Sequence, residues 1–311
     1  MSQHAEVKLG PLLVLICVAC FLFGILTAQI FYYWNNYQKD GLKLKAFILF
    51  VWLLETLHTA FCIYVIYFWF VAQYPNIRDL ETIGWSAVIT VLLELIIVTL
   101  TEGHYIYRIW HLCHRKLYVV ALPALLLALR FAFGLLTVTL LYKYNRWSIY
   151  FENSVAPAVL ITEFSLGLAS DFTITAFLIW YLRMQRTGFP NTNMRIQKLM
   201  HYTLNTGAIT IIISAAIVGT INLPNSLFFF GLVEVVSKLY SNSMLAMLNA
   251  RKHLQEAVYQ ESTGINIVTE VQTFRDPDIF DTKGSGRIHD RFKGPSRCDV
   301  NKARVDALAN V

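Results

Sequence analysis

The sequence predicts an all-α polytopic membrane protein, a seven-transmembrane-helix bundle followed by a disordered C-terminal tail. Three observations carry this prediction. Of the 311 residues, 56% are hydrophobic and only 15% are charged, which is too apolar for an ordinary soluble domain. Apolar runs reach the ~20 residues that cross ~30 Å of hydrocarbon. Basic residues collect at the ends of those runs, where they set membrane topology. We expect a transmembrane domain over 1–254 and a tail over 255–311.

Seven apolar runs are long enough to span the bilayer as helices. The first is too long for the apolar core of a signal peptide, so we expect it to remain as a membrane helix. The sixth is the weakest because its first half, HYTLNTGAIT, is polar. Pro224 and Asn225 favour a tight turn after it. The runs cover residues 9–34, 45–71, 85–107, 117–141, 158–182, 200–222 and 226–249.

The orientation follows from the basic residues in the short connections. Twelve lie on one side, against four on the other. The larger set is Lys39, Lys43, Lys45, Arg108, Arg115, Lys116, Arg183, Arg186, Arg195, Lys198, Arg251 and Lys252, and the smaller set is Lys8, Arg78, Lys143 and Arg146. We therefore expect an outside N-terminus and a cytoplasmic C-terminus, in the plasma membrane or an endomembrane.

The tail has a different composition from the rest of the chain. Beyond about residue 255 the sequence is polar and rich in Gly and Pro, as in KGSGR and KGPSR. We predict that it is mostly disordered, and that the residues beyond about 260 are dispensable for folding. Residues 264–274, GINIVTEVQTF, show some β-like alternation and could pair locally.

Composition and motifs exclude several classes of function. The net charge of +6 sits at helix ends and not in a nucleic-acid-binding patch, so we expect the bilayer and no nucleic acid as partner. The five cysteines form no disulfide or zinc framework, and His111 and His114 beside Cys113 are a weak metal motif. No soluble-enzyme motif is present. We predict no cofactor and no metal, and find no catalytic constellation.

Ionisable residues inside the apolar runs carry the functional hypothesis, because such residues are costly in hydrocarbon. Counted from the basic end of each run, five of them fall at roughly 15 to 21 Å depth, near the midplane. His58, Glu163 and Glu234 lie in or just outside that layer. The candidate ligand or proton site is Glu55, His58, Glu94, Arg130, Asp171, Glu234 and Lys238.

The layer holds more acids than bases. Four carboxylates face Arg130, Lys238 and the titratable His58, so some acids are protonated or a cation shares the site. The alternative is a set of interhelical pairs that only fix packing. We expect Lys238 to face Asp171 on a neighbouring helix, directly or through water or a ligand, with Glu234 as the alternative partner at i−4. Glu102 is expected at the interface near the end of its run.

Three segments resemble a family of mushroom-type fungal seven-helix membrane proteins that is catalogued only as a domain of unknown function (DUF6534-like). They are LGPLL (9–13), SDFTITAFLIWYLRMQRTGF (170–189) with HYTLNTG (201–207), and SKLYSNSMLAMLNARKHL (237–254). The resemblance implies seven helices and a disordered tail, and no activity. Besides Asp171 and Lys238, the family-like positions are Arg186, Thr187, Gly188, Phe189, Thr203, Asn205, Thr206, Gly207, Tyr240, Asn242, Ser243 and Asn249.

These features favour a receptor or sensor whose polar layer binds a small ligand or changes protonation. Its basic loops and tail would meet a cytoplasmic effector. The alternative is a proton-coupled transporter or channel that uses the same layer as its ion site. A membrane-embedded enzyme or a retinal protein with a Schiff base on Lys238 is less favoured. A water path joining both faces would indicate transport, and a cavity closed on the cytoplasmic side would indicate a receptor.

Overall fold

A computed structural model describes residues 2–72, 82–113, 115–184, 197, 207–221 and 227–273, with side chains between Leu9 and Arg251. The described chain is helical and contains no strand within these ranges. The helices are α1 (Ser2–Asn36), α2 (Leu42–Tyr67, continued by a π-helical turn at Phe68–Ala72), α3 (Trp85–Leu112), α4 (Leu117–Tyr144), α5 (Trp147–Glu152), α6 (Val155–Met184), α7 (Gly207–Thr220) and α8 (Phe228–Thr273).

Five helices are long and apolar enough to cross a membrane, which indicates an integral membrane protein. They are Leu9–Asn36, Leu42–Val71, Trp85–Leu112, Leu117–Tyr144 and Val155–Met184. The predicted count of seven is not confirmed. In α7 the described apolar helix is short, and in α8 charged and amide side chains interrupt the apolar sequence.

Two apolar clusters fill the bundle, one toward each end. The Phe230 cluster joins the first part of α1 to the end of α2, and includes Ile16, Trp69, Phe164 and Phe230. The Met244 cluster joins the last part of α1 to the first part of α2, and includes Leu26, Ile48, Leu178 and Met244. On α2, Glu55 and His58 lie between Val51 of the Met244 cluster and Cys62 of the Phe230 cluster, and on α6 Asp171 lies between Phe164 and Ile174. These ionisable residues therefore occupy the middle of the bundle.

The relative direction of the last three helices can be read from their contacts. In α6 and α8, Asp171 meets Tyr240, while residues nearer the start of both helices share the Phe230 cluster, so these two helices run parallel. In α7, Gly207 lies beside Thr175 of α6, and Ile217 belongs to the Phe230 cluster. Helix α7 therefore runs antiparallel to its two neighbours.

Helix α8 differs from the prediction at its end. We predicted a change to a disordered tail at 255 and β-like alternation over 264–274, whereas the helix continues to Thr273. Three Glu and three Gln lie between Arg251 and Thr273, and these residues favour a helix. Residues 274–311 lie outside the described part of the chain.

Candidate functional site

One group of buried charges, the lysine cluster, consists of Glu55 and His58 on α2 with Glu234 and Lys238 on α8. Each of these side chains is at most 1% exposed. The Lys238 ammonium forms an ion pair with Glu55 and lies 2.8 Å from His58 Nδ1. On the other side of the imidazole, His58 Nε2 lies 3.1 Å from Glu234 Oε2. An ammonium can only donate, so Nδ1 accepts and Nε2–H donates to Glu234.

Hydroxyl and thiol donors complete the lysine cluster. Ser241 donates to Glu55 Oε1 at 2.6 Å, Thr90 donates to Glu234 Oε1 at 2.6 Å, and Cys62 donates to Glu234 Oε2 at 2.9 Å. Of the buried side-chain nitrogen and oxygen atoms described, none that belongs to this cluster lacks a hydrogen bond. The cluster therefore ties α2, α3 and α8 together with its polar groups fully paired.

The same place has a donor set that could suit a metal. His58, Cys62 and Glu234 offer nitrogen, sulfur and oxygen ligands that lie within 4.8 Å of one another, as zinc prefers. A zinc-bound imidazole normally donates its second N–H to an acceptor. Here that second nitrogen faces the Lys238 ammonium, which is a donor. The residues fit a hydrogen-bonded chain better than a metal centre.

A second group, the arginine cluster, surrounds Arg130 of α4. Arg130 forms an ion pair with Glu102 of α3 and lies 3.9 Å from Glu94 Oε1. It also donates to the Tyr240 hydroxyl of α8 at 3.4 Å. Tyr240 in turn donates to Asp171 Oδ2 of α6 at 2.5 Å. The cluster therefore joins α3, α4, α6 and α8 across the middle of the bundle.

Small residues allow this approach of helices. A Cβ atom on Gly167 of α6 would lie 2.9 Å from the guanidinium carbon of Arg130. A Cβ atom on Gly134 of α4 would lie 2.9 Å from Glu163 Oε1, which accepts a hydrogen bond from Thr137 at the oxygen Oε2 (2.6 Å). Close helix approach at glycine is common in membrane bundles. The two glycines make room for the charged side chains.

The arginine cluster is not fully paired. Three buried polar atoms in and beside it have no hydrogen-bond partner among the described residues: Glu94 Oε1, Arg130 Nε and the Tyr105 hydroxyl. An unpaired buried polar atom costs about 1–3 kcal/mol. The arginine cluster and Tyr105 could therefore form further hydrogen bonds with a bound molecule.

A small cavity of about 30 Å³ adjoins the arginine cluster. Its polar groups come from Asp171, Tyr105, Tyr240 and hydroxyl side chains of α6, α7 and α8. The lining residues are Tyr105, Asp171, Ile174, Thr175, Leu178, Gly207, Thr210, Tyr240, Ser243 and Met247. The cavity lies on the side of the polar centre that faces the Met244 cluster, because Ile174 and Leu178 belong to that cluster.

The structure places all seven candidate site residues in the buried centre, but in two groups and not in one continuous layer. The predicted pairing of Lys238 with Asp171 is wrong, because Lys238 pairs with Glu55 and Asp171 with Tyr240. The alternative pairing of Lys238 with Glu234 is indirect and runs through His58.

Sequence reasoning missed Glu102, which was expected at the interface but is fully buried against Arg130 and Ser170. The reason is the length of α3, which continues to Leu112 instead of ending at residue 107. Five more residues place Glu102 roughly 7 Å deeper. Because the predicted run was too short, the count of depth along the helix did not place Glu102 near the midplane.

Several family-like residues hold α8 against α1. The side-chain amide of Asn242 donates to the Leu22 carbonyl at 3.0 Å, and that of Asn249 donates to the Gln29 carbonyl at 2.9 Å. Gly207, Tyr240 and Ser243 line the cavity. The remaining family-like positions, Arg186, Thr187, Gly188, Phe189, Thr203, Asn205 and Thr206, lie outside the described residues.

Comparison with known proteins gives one match. Residues 167–253 match the profile of a family of unknown function, DUF6534. The match covers less than a third of the chain and confirms the resemblance seen in the sequence. Of the ten residues that line the cavity, nine lie within the matched segment, and Tyr105 is the exception. No curated protein and no solved structure matches the chain.

Proposed function

We propose that this chain is a seven-crossing membrane sensor whose polar centre responds to a small ligand or a proton, and that α8 carries the response out of the bilayer. The observation that carries the proposal is the position of α8. This one helix supplies Lys238 to the lysine cluster, Tyr240 to the arginine cluster and Ser243 to the cavity. It then continues to Thr273.

The number of crossings is supported by helix direction. The amides of Asn242 and Asn249 meet the carbonyls of Leu22 and Gln29 in the same order along both chains, so α1 and α8 run parallel. Helix α6 is also parallel to α8, with α7 antiparallel between them. Five spanning helices, one return through α7 and a final crossing by α8 make seven.

The length of α8 supports its role as the output. Its 46 residues extend roughly 69 Å, more than twice the thickness of the hydrocarbon core. Near the point of exit, Arg251 forms an ion pair with Asp40 in the connection between α1 and α2 (2.5 Å), and Tyr33 donates to the same carboxylate at 2.7 Å. A shift of α8 at the cavity would act on this partly buried contact. The basic connections beside it suit a cytoplasmic effector.

The position of the cavity decides how a ligand would arrive. The cavity lies on the side of the Met244 cluster, while the Phe230 cluster packs the opposite half. With the N-terminus outside, as the basic residues predict, the cavity side is the cytoplasmic half. The ligand would therefore come from the cytoplasm or the bilayer and not from outside.

A proton-coupled transporter is the second candidate, and the lysine cluster favours it. The chain of hydrogen bonds from Lys238 through His58 to Glu234 can pass a proton by switching the imidazole tautomer. A transporter would use this chain to move protons across the membrane, whereas a sensor would only change its charge state.

Hydrogen exchange of α8 tests the sensor. The variant Ser243→Leu fills the cavity, and Ser165→Leu, at an exposed position of α6, is its matched control. We expect Ser243→Leu to change amide exchange over residues 251–273, and Ser165→Leu to leave it unchanged. An α8 extension that responds to neither substitution would contradict the proposal. In liposomes with an internal pH dye, proton flux that His58→Gln abolishes would assign the transporter instead.

A further inference from the structure

We propose that the cavity beside Asp171 binds ammonium or a small primary ammonium cation such as methylammonium. The inference rests on the proposed function, because it names the ligand of the same cavity. Asp171 would supply the counter-charge, and the Tyr105 hydroxyl a further hydrogen bond.

The charge distribution of the polar centre calls for a cation at this place. Six carboxylates are buried in the bundle, against three buried arginine or lysine side chains among the described residues, Arg108, Arg130 and Lys238. Arg108 donates to Met247 and forms no ion pair with a described carboxylate. The carboxylates are Glu55, Glu94, Glu102, Glu163, Asp171 and Glu234. Lys238 pairs with Glu55, and Arg130 with Glu102.

Asp171 has a hydroxyl partner and no ionic partner among the described residues. Its hydrogen bond comes from Tyr240, and no described Lys, Arg or His side chain lies within ion-pair distance of its carboxylate. A neutral donor does not neutralise a buried carboxylate. Since the carboxylate lines the cavity, a cation bound there would neutralise it.

Tyr105 provides an independent observation. Its side chain is 9% exposed, it lines the cavity, and its hydroxyl has no hydrogen-bond partner. A hydroxyl oxygen can accept from an ammonium N–H. Thr175 and Ser243 add two further hydroxyl groups to the lining. An ammonium group carries several N–H donors, and the cavity offers a carboxylate and several hydroxyl oxygens to receive them.

The size and walls of the cavity set the selectivity. A volume of about 30 Å³ is about twice the space that one water needs. It suits a molecule of one or two heavy atoms. Ile174, Leu178 and Met247 form apolar walls on which one methyl group can pack. Tetramethylammonium, with five heavy atoms and no N–H donor, is too large and cannot hydrogen-bond.

The test measures thermal unfolding of the purified full chain in detergent at pH 7, by tryptophan fluorescence. Chloride salts of ammonium, methylammonium, sodium and tetramethylammonium are compared at equal ionic strength. We expect ammonium and methylammonium to raise Tm in a saturable manner, because a ligand that binds the folded state stabilises it. Sodium and tetramethylammonium should give no saturable rise.

Two tyrosine variants separate binding from folding. Tyr105→Phe removes the unpaired hydroxyl, so it should not lower Tm without amine and should weaken apparent methylammonium affinity about tenfold. Tyr150→Phe is the matched control, since Tyr150 is buried outside the cavity and donates to the Ala156 carbonyl at 3.3 Å. It should leave the amine response intact. Asp171→Asn should abolish the response.

Three results would overturn the inference: no saturable rise with either amine, an equal rise with sodium, or an unaltered amine response in Tyr105→Phe. The hydrogen-exchange experiment on Ser243→Leu uses no amine. If the amines fail to stabilise the protein but Ser243→Leu changes hydrogen exchange in α8, only the proposed ligand class is rejected. If both experiments fail, the sensor proposal is rejected as well.

Discussion

The lysine cluster and the arginine cluster contain the same kinds of side chain but differ in how completely their polar atoms are hydrogen-bonded. Each buries one permanent cation, at least two carboxylates and hydroxyl donors from neighbouring helices. In the lysine cluster every described polar side-chain atom has a partner, whereas Glu94 and Arg130 each leave an atom unpaired. Only the arginine cluster adjoins the cavity. The lysine cluster therefore holds the helices together, while the arginine cluster has room for a further molecule.

The chemistry of the two cations explains the difference. The Lys238 ammonium has three donors, and it meets the Glu55 carboxylate, the Glu55 carbonyl and His58 Nδ1. The Arg130 guanidinium has five donors in a rigid plane, which require acceptors in fixed directions. Glu102 and Tyr240 receive only part of that set, and Nε remains unpaired.

The largest expected effect is the loss of Lys238. Lys238→Met leaves Glu55 buried without its counter-ion, and removing one member of a buried pair costs about 3–5 kcal/mol. We expect this loss in the free energy of unfolding, measured by SDS titration in mixed micelles. Glu55→Gln in the same chain should restore much of it.

A double-mutant cycle sharpens the assignment of partners. Lys238→Met with Glu55→Gln should be strongly non-additive, because the two side chains are in contact. Lys238→Met with Asp171→Asn should be additive, because they share no described hydrogen-bond partner. Coupling of Lys238 to Asp171 would contradict the division into two clusters.

The depth of the polar residues could be predicted from the sequence, but their partners could not. Depth follows from counting along a helix at 1.5 Å per residue. A partner also depends on rotation about the helix axis. Lys238 and Tyr240 are two residues apart, so they point roughly 200° apart. The face of Glu234, Lys238 and Ser241 meets α2, and the opposite face carries Tyr240 to Asp171.

The boundaries of the helices could likewise be predicted only in part from the sequence. Apolar run lengths predicted the five spanning helices to within a few residues at most ends. Because the first half of the sixth run is polar, the sequence did not predict where this helix begins. The described helix begins at Gly207. A Cβ atom there would overlap the Thr175 side chain, so glycine is required by contact with α6. Such a reason cannot be read from one sequence alone.

A second prediction concerns the packing of the arginine cluster. Gly167→Ala places a methyl group against the Arg130 guanidinium, and overpacking in a filled centre costs about 1–3 kcal/mol. Gly24→Ala is the matched control, because nothing lies within 4 Å of its Cβ position on α1. The control should be neutral or slightly stabilising. If Gly167→Ala were equally harmless, the arginine cluster would be looser than its contacts indicate.

A third prediction tests the completeness of the lysine cluster. Thr90→Val keeps the shape of the side chain and removes the hydroxyl that donates to Glu234 at 2.6 Å. We expect a loss of about 1 kcal/mol, the scale of one hydrogen bond between membrane helices. Thr162→Val, at an exposed position whose hydroxyl bonds its own helix, is the control and should change little. The same micelle titration measures both.

The smallest expected effect is that of Tyr105→Phe, which removes a hydroxyl beside the arginine cluster. Its oxygen is buried and has no partner among the described residues, so the folded protein gains nothing from it without a ligand. We expect no loss of stability and a gain of up to about 1 kcal/mol, because the cost of the unpaired group disappears. A loss of 1 kcal/mol or more, comparable to Thr90→Val, would show that the hydroxyl is paired in the free protein. The cavity would then have lost its unpaired hydroxyl, and the difference between the two clusters would rest on Glu94 and Arg130 alone.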